Sequence, residues 1–92
     1  MELAKLKRGM LPPITSDAFD DVLKLYMDAA FIDLEAAGII QNEDNSALYD
    51  LAVICFTRAN YDSVNYDAHM AAYKTQKIRL ALMSDDAEPE AV

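Results

Sequence analysis

Thr15-Ser-Asp-Ala-Phe-Asp-Asp-Val-Leu-Lys-Leu-Tyr-Met-Asp-Ala-Ala-Phe-Ile-Asp-Leu-Glu-Ala-Ala-Gly38 reads as one amphipathic helix. Phe19, Val22, Leu23, Tyr26, Ala29, Ala30, Leu34 and Ala37 recur at three- and four-residue spacing and form one stripe. Asp20, Lys24, Asp28 and Glu35 fall on the other side. Thr15 or Ser16 can cap the start, and Asp17, Asp20 and Asp21 fill the first turn, where negative charge suits the helix dipole. Gly38 fits a left-handed C-terminal cap. Leu25, Phe31 and Ile32 lie outside the stripe. Apolar residues beyond one face point either to a second contact surface or to neighbouring helices wrapped around this one.

Beyond Gly38, Ile39-Ile40 are expected to tuck back onto the core, and Gln41-Asn-Glu-Asp-Asn45 is a polar turn. A second helix is predicted from Asn45 or Ser46 to about Asn60. Leu48, Leu51, Ala52, Cys55 and Ala59 line one face, and Val53, Ile54 and Phe56 add apolar surface elsewhere, so this helix is expected to be the most buried. Arg58 near its end either complements the dipole or forks onto a neighbouring carboxylate. A near-duplication follows, Asn60-Tyr-Asp-Ser63 and Asn65-Tyr-Asp-Ala68, whose Tyr61 and Tyr66, with His69, either stitch two helices together or form a binding patch.

The third helix is predicted from Asp67, its cap, to Leu82, with a narrower stripe that includes Met70, Tyr73, Ile78 and Leu80. Lys74, Lys77 and Arg79 sit toward its C-terminal end, where cations suit the dipole. No alternating strand pattern occurs. The fold class is therefore all-α: a small three-helix bundle spanning residues 14–83, with a short N-terminal helical arm (1–13) and a flexible acidic C-terminal tail (84–92). Gly9 and Pro12-Pro13 stop any helix in the arm, which reads as peripheral to the core.

Ninety-two residues make one domain. A chain this size buries only roughly two-thirds of its unfolded surface, so self-association or docking is a natural source of extra stability. Cys55, the only cysteine, excludes an internal disulfide and sits in an apolar helical run, Leu51-Ala-Val-Ile-Cys-Phe56, as a small buried thiol. The net charge of −8 argues against duplex binding through phosphate contacts. Lys5, Lys7 and Arg8 make the start basic, and Lys74, Lys77 and Arg79 form a second basic cluster. Lys24 and Arg58 are the only bases between residues 9 and 73. An acidic body with basic ends suits head-to-side pairing of copies, or simply solvated faces.

No catalytic or cofactor constellation emerges. Gly9 and Gly38 are the only glycines, so there is no phosphate loop. Paired carboxylates such as Asp20-Asp21 lie in helix starts and turns, with nothing to bury them. The Asp62, Asp67, His69 trio matches no established metal loop. No enzyme, cofactor or metal is expected. Glu2 follows Met1 with no apolar leader, and the longest apolar run is residues 51–56, so the expectation is a soluble protein made in the cytoplasm, without a membrane partner.

Thr15-Ser16-Asp-Ala-Phe-Asp-Asp-Val-Leu-Lys-Leu-Tyr-Met-Asp-Ala-Ala30, then Ala47-Leu-Tyr-Asp-Leu-Ala-Val-Ile-Cys-Phe-Thr-Arg58 running into the Asn/Tyr/Asp-rich joint, then Tyr73-Lys-Thr-Gln-Lys-Ile-Arg-Leu-Ala-Leu82, resembles the small head–tail connector (head-completion, DNA-packaging adaptor) proteins of tailed bacteriophages. The resemblance implies a ring of identical subunits at the head–tail junction of the virion, between the portal and a tail-completion or stopper protein. DNA would pass through the channel without sequence-specific binding. It also implies a heterologous interface between subunits. On this reading Leu25, Phe31, Ile32, Arg58, Tyr61, Tyr66, Tyr73, Lys74, Lys77 and Arg79 are the candidate subunit or portal contacts. The acidic charge alone supports another class, a small helical regulator or nucleic-acid mimic that covers a basic site on a partner, with salt-sensitive binding.

Overall fold

The computed structural model describes residues 1–86. It contains four α-helices and no strand among those residues: α1 (Leu3–Arg8), α2 (Asp20–Ala36), α3 (Ser46–Tyr61) and α4 (Tyr66–Asp86), with a short 3-10 turn at Ser63–Asn65 between α3 and α4. The all-α bundle read from the sequence is the fold. The expected acidic tail lies largely outside the described residues, and α4 carries helix to Asp86, beyond the predicted end at Leu82.

Helix α3 is the centre, packed between α2 and α4. Phe19 at the start of α2 meets Tyr61 at the end of α3, edge to face at 6.1 Å. Phe31 near the end of α2 stacks on Tyr49 near the start of α3 at 6.2 Å. The two helices therefore run antiparallel. Phe56 and Tyr73 make the corresponding edge-to-face contact between α3 and α4 at 5.1 Å. As expected, α3 is the most enclosed helix, with Ala52, Val53, Thr57 and Ala59 all without exposure. Thr57 satisfies its buried hydroxyl on the Val53 carbonyl one turn back, at 2.9 Å. Cys55 is buried, and burial pushes its thiol pKa up, away from the reactive thiolate.

The N-terminal segment is core, contrary to its reading as a peripheral arm. Leu6 is fully buried and Met10 is 2% exposed, with Met1, Leu3 and Ile14 packed alongside. Gly9 and the prolines do end α1, but they redirect the chain onto the bundle instead of releasing it. Three polar ties hold it there. Lys5 reaches Asp50 at 2.6 Å. Lys7, only 9% exposed, bridges Asp17 at 3.0 Å and Asp20 at 2.8 Å. These bonds, to Asp20 above all, raise the Lys7 pKa and keep it charged. The third tie is Arg58, which donates from Nε to the Gly9 carbonyl at 2.8 Å and from a terminal nitrogen to the same oxygen. Neither role foreseen for Arg58 is the main one: its partner is backbone. Gly9 also lets the segment lie close to α3, since a Cβ there would sit 2.8 Å from the Ile54 Cδ1.

The helix starts differ from expectation for a local reason. Ser16 Oγ accepts the Ala18 amide at 3.0 Å in a tight turn, and the regular α2 begins only at Asp20. Asp17 thus lies before the helix and serves Lys7. Asp67 sits in the first turn of α4 instead of capping it. At the other end of α2 the foreseen glycine cap is present: Gly38 has φ +80°, its amide donates to Glu35, and the Ile39 amide reaches back to Leu34 at 3.0 Å. That is a Schellman closure, and it buries Ile39 against Leu34 in the core. Ile40 does not follow it inward; it is 74% exposed. Nothing lies within 4 Å of a Cβ built on Gly38, so Gly38→Ala should cost only the left-handed strain of an L residue. That strain is about 1 kcal/mol net, or about 5 °C in the melting temperature, measurable by thermal unfolding.

Candidate functional site

The ten candidate contact residues do not share one surface. Tyr73 is 2% exposed and cannot touch a partner. Its hydroxyl donates to the Asp33 carboxylate, which also accepts Lys77 Nζ at 2.9 Å. Spacing put Tyr73 in the apolar stripe of α4, and its ring does pack against Phe56 of α3; it is the contact role implied by the resemblance that does not fit. Lys77 is occupied by that ion pair and lies 5.8 Å from the Tyr73 ring centre, and Arg58 is engaged with Gly9. Phe31 is half-buried on Tyr49. Leu25, Ile32, Tyr61, Tyr66, Lys74 and Arg79 are exposed.

The Asp33 cluster links α2 to α4 and titrates at both ends of the pH range. Hydrogen bonds from Tyr73 and then Lys77 hold the Asp33 carboxyl below its ordinary 3.8. Burial, reinforced by the Asp33 charge, pushes the Tyr73 phenol well above its ordinary 10. A carboxyl lowered by folding contributes stability above pH 3.8 that disappears as pH falls through its folded value. A phenol raised by folding contributes stability below pH 10 that is lost as pH climbs past that point. Stability should therefore hold level between these limits as far as this cluster governs it, and drop on each side. Asp33→Asn should flatten the acid limb in a denaturation series against pH.

Tyr61 ties α3 to the start of α2 through Phe19, while Tyr66 opens α4 at 43% exposure. His69 is half-buried with Nε2 3.9 Å from Asp62, whose carboxyl is held low chiefly by a hydrogen bond from Asn65 at 2.9 Å. Asp62, Asn65 and His69 gather at the turn, whereas Tyr61 packs on Phe19 and Tyr66 stands exposed. Among the described residues no group of three or more His, Cys, Asp or Glu is placed to hold a metal ion, and no helix is long and apolar enough to cross a membrane.

What does stand out is apolar surface turned to water on well-formed helices. Leu25 is 66% exposed and Ile32 67%; Ile78 and Leu82 on α4 are 62% and 57%. The core face of α2 is Leu23, Met27, Ala30 and Leu34. Val22, assigned to that face by spacing, instead stands 41% exposed on the back with Leu25 and Ile32. Met27, absent from the predicted stripe, takes the inward position. The helix carries two apolar stripes, and Val22 and Ala29, read into the first, belong with the second. Near the end of α2 a shallow pocket lies among Phe31, Ile32, Glu35, Ile40 and Tyr49. Burial raises the Tyr49 phenol pKa there. No known family model matches this chain, and neither the curated proteins nor the solved structures contain a match to it.

Proposed function

We propose that the chain is a structural, non-catalytic adaptor: a head–tail connector of a tailed bacteriophage, whose copies form a ring between the portal and a tail-completion or stopper protein. The observation that carries this reading is the exposure of Leu25 and Ile32 on the back of a helix whose other face is already packed. Each such side chain gains about 2 kcal/mol when a partner covers it. Contiguous apolar surface of this kind on a formed helix suits a face that a neighbour covers. The order of the helices, with an acidic opening to the first long one and an Asn/Tyr/Asp joint before the last, is what the connector resemblance rests on. The acidic body suits a channel through which DNA slides without adhering.

The test is light scattering of the purified chain, alone and mixed with the portal protein encoded in the same genome. A connector forms a complex with portal that contains several copies. A strict monomer that leaves the portal untouched contradicts the proposal. The alternative, an acidic mimic bound to a basic partner, draws on Asp21, Asp28 and Glu35, exposed along one edge of α2. Salt separates the two. At about 1 M salt the screening length is about 3 Å, so a mimic lets go, whereas apolar docking persists.

A further inference from the structure

Two outward faces of the molecule share a period and differ in charge. On α2, Val22, Leu25, Ala29, Ile32 and Ala36 follow one another at alternating three- and four-residue steps, the heptad spacing of a helix–helix seam. On α4, Ala68, Ala71, Thr75, Ile78 and Leu82 do the same over an equal number of residues. Each seam is about 21 Å long at 1.5 Å per residue. The Thr75 hydroxyl is turned back onto the Ala71 carbonyl at 3.0 Å, so the seam presents few polar atoms.

The flanks are opposite in sign save for Asp67, which lies two turns before Lys74 on the same edge of α4. Asp21, Asp28 and Glu35 recur every seven residues along one edge of the α2 seam, all exposed. Lys74 and Arg79 border the α4 seam, one on each edge, also exposed. None of these five has an ion-pair partner among the described residues; the lysines that do, Lys5, Lys7 and Lys77, hold the chain's own fold together. Within one molecule the two seams cannot meet, because each lies opposite the face its helix buries. Two α2 seams brought together would set carboxylates against carboxylates, and two α4 seams would bring cations together. An α2 seam on an α4 seam places a cation opposite the acidic edge in either direction, Lys74 when the helices run antiparallel and Arg79 when they run parallel.

We infer that the α2 seam of one copy packs on the α4 seam of the next. Such a contact is heterologous, so it propagates from copy to copy until it closes into a ring or continues as a filament. Apolar burial supplies the affinity, and the charged edges reject the two like-with-like pairings. This deepens the connector reading by naming the two faces that meet.

The test uses the full chain with Cys55→Ala as background. One preparation carries Leu25→Cys and another Ile78→Cys, both at exposed positions, with folding checked by circular dichroism. A short bismaleimide should join the two in the mixture far more than either joins to itself. Lys74→Glu with Arg79→Glu in the Ile78→Cys chain should cut that yield about tenfold. Asp28→Lys with Glu35→Lys in the Leu25→Cys chain should restore it. Equal yields of all three products, or a yield indifferent to the charge reversal, overturns the inference. Its failure is distinct from that of the connector reading. Mixed cross-links in a chain that ignores the portal leave this pairing standing and remove the connector. Portal capture without preferential cross-linking does the reverse.

Discussion

Leu6→Ala should destabilise the protein by about 3 kcal/mol, as much as a leucine lost from the middle of the bundle. The six-residue α1 has too little length to be stable alone, so its helicity depends on what it packs against. Leu6 has no exposure and sits in the same cluster as Leu23, Leu34 and Leu80. Truncation leaves a cavity, and the ties through Lys5, Lys7 and Arg58 hold the backbone so that it cannot collapse freely into it. For a domain of this size the melting temperature should fall by about 15 °C. Leu11→Ala, at a side chain 65% exposed, is the control and should stay within about 0.5 kcal/mol. Denaturant titration of the two variants decides it. If Leu6→Ala behaves like Leu11→Ala, the N-terminal segment is peripheral after all.

The second large effect belongs to Tyr73. Tyr73→Ala should cost about 4 kcal/mol, because it removes a buried ring packed on Phe56 and leaves a void between α3 and α4. Tyr73→Phe isolates the hydroxyl. It keeps the packing and loses one hydrogen bond to Asp33, which retains Lys77 at 2.9 Å and is partly open to water, so the cost should be about 1 kcal/mol. The same variant should remove the contribution of this phenol to the alkaline loss of stability. A Tyr73→Phe protein as unstable as Tyr73→Ala would place the weight on the hydroxyl and not on the ring.

Helix content and order were legible in the sequence because α2, α3 and α4 are long enough to display a period. The Gly38 cap was legible because few residues adopt its backbone conformation. The role of the first ten residues was not. A six-residue helix ended by glycine gives no amphipathic signal, and whether Leu6 and Met10 turn inward is settled by contacts with residues far along the chain, such as the Arg58 guanidinium on the Gly9 carbonyl. Arg58 sits in the last turn of α3 as read, but its hydrogen-bond partner was not foreseen, because a backbone carbonyl 49 residues back leaves no pattern in the sequence. Leu25 and Ile32 were set off the main stripe by spacing, and both are exposed. Val22 and Ala29 were absorbed into that stripe, since in a helix apolar on two faces adjacent positions blur together. Tyr73 was placed rightly in the apolar stripe of α4 and wrongly among the contacts, since spacing does not tell how completely a large ring is covered.

Sedimentation across a concentration series, comparing the natural chain with the triple variant Leu25→Glu, Ile32→Glu, Ile78→Glu, tests most directly whether the uncovered apolar faces belong to a neighbour. The natural chain should associate as concentration rises, and the variant should remain a monomer with an unchanged melting temperature, because all three positions lie outside the core. A natural chain that stays monomeric at every concentration, or a variant that associates just as well, contradicts it.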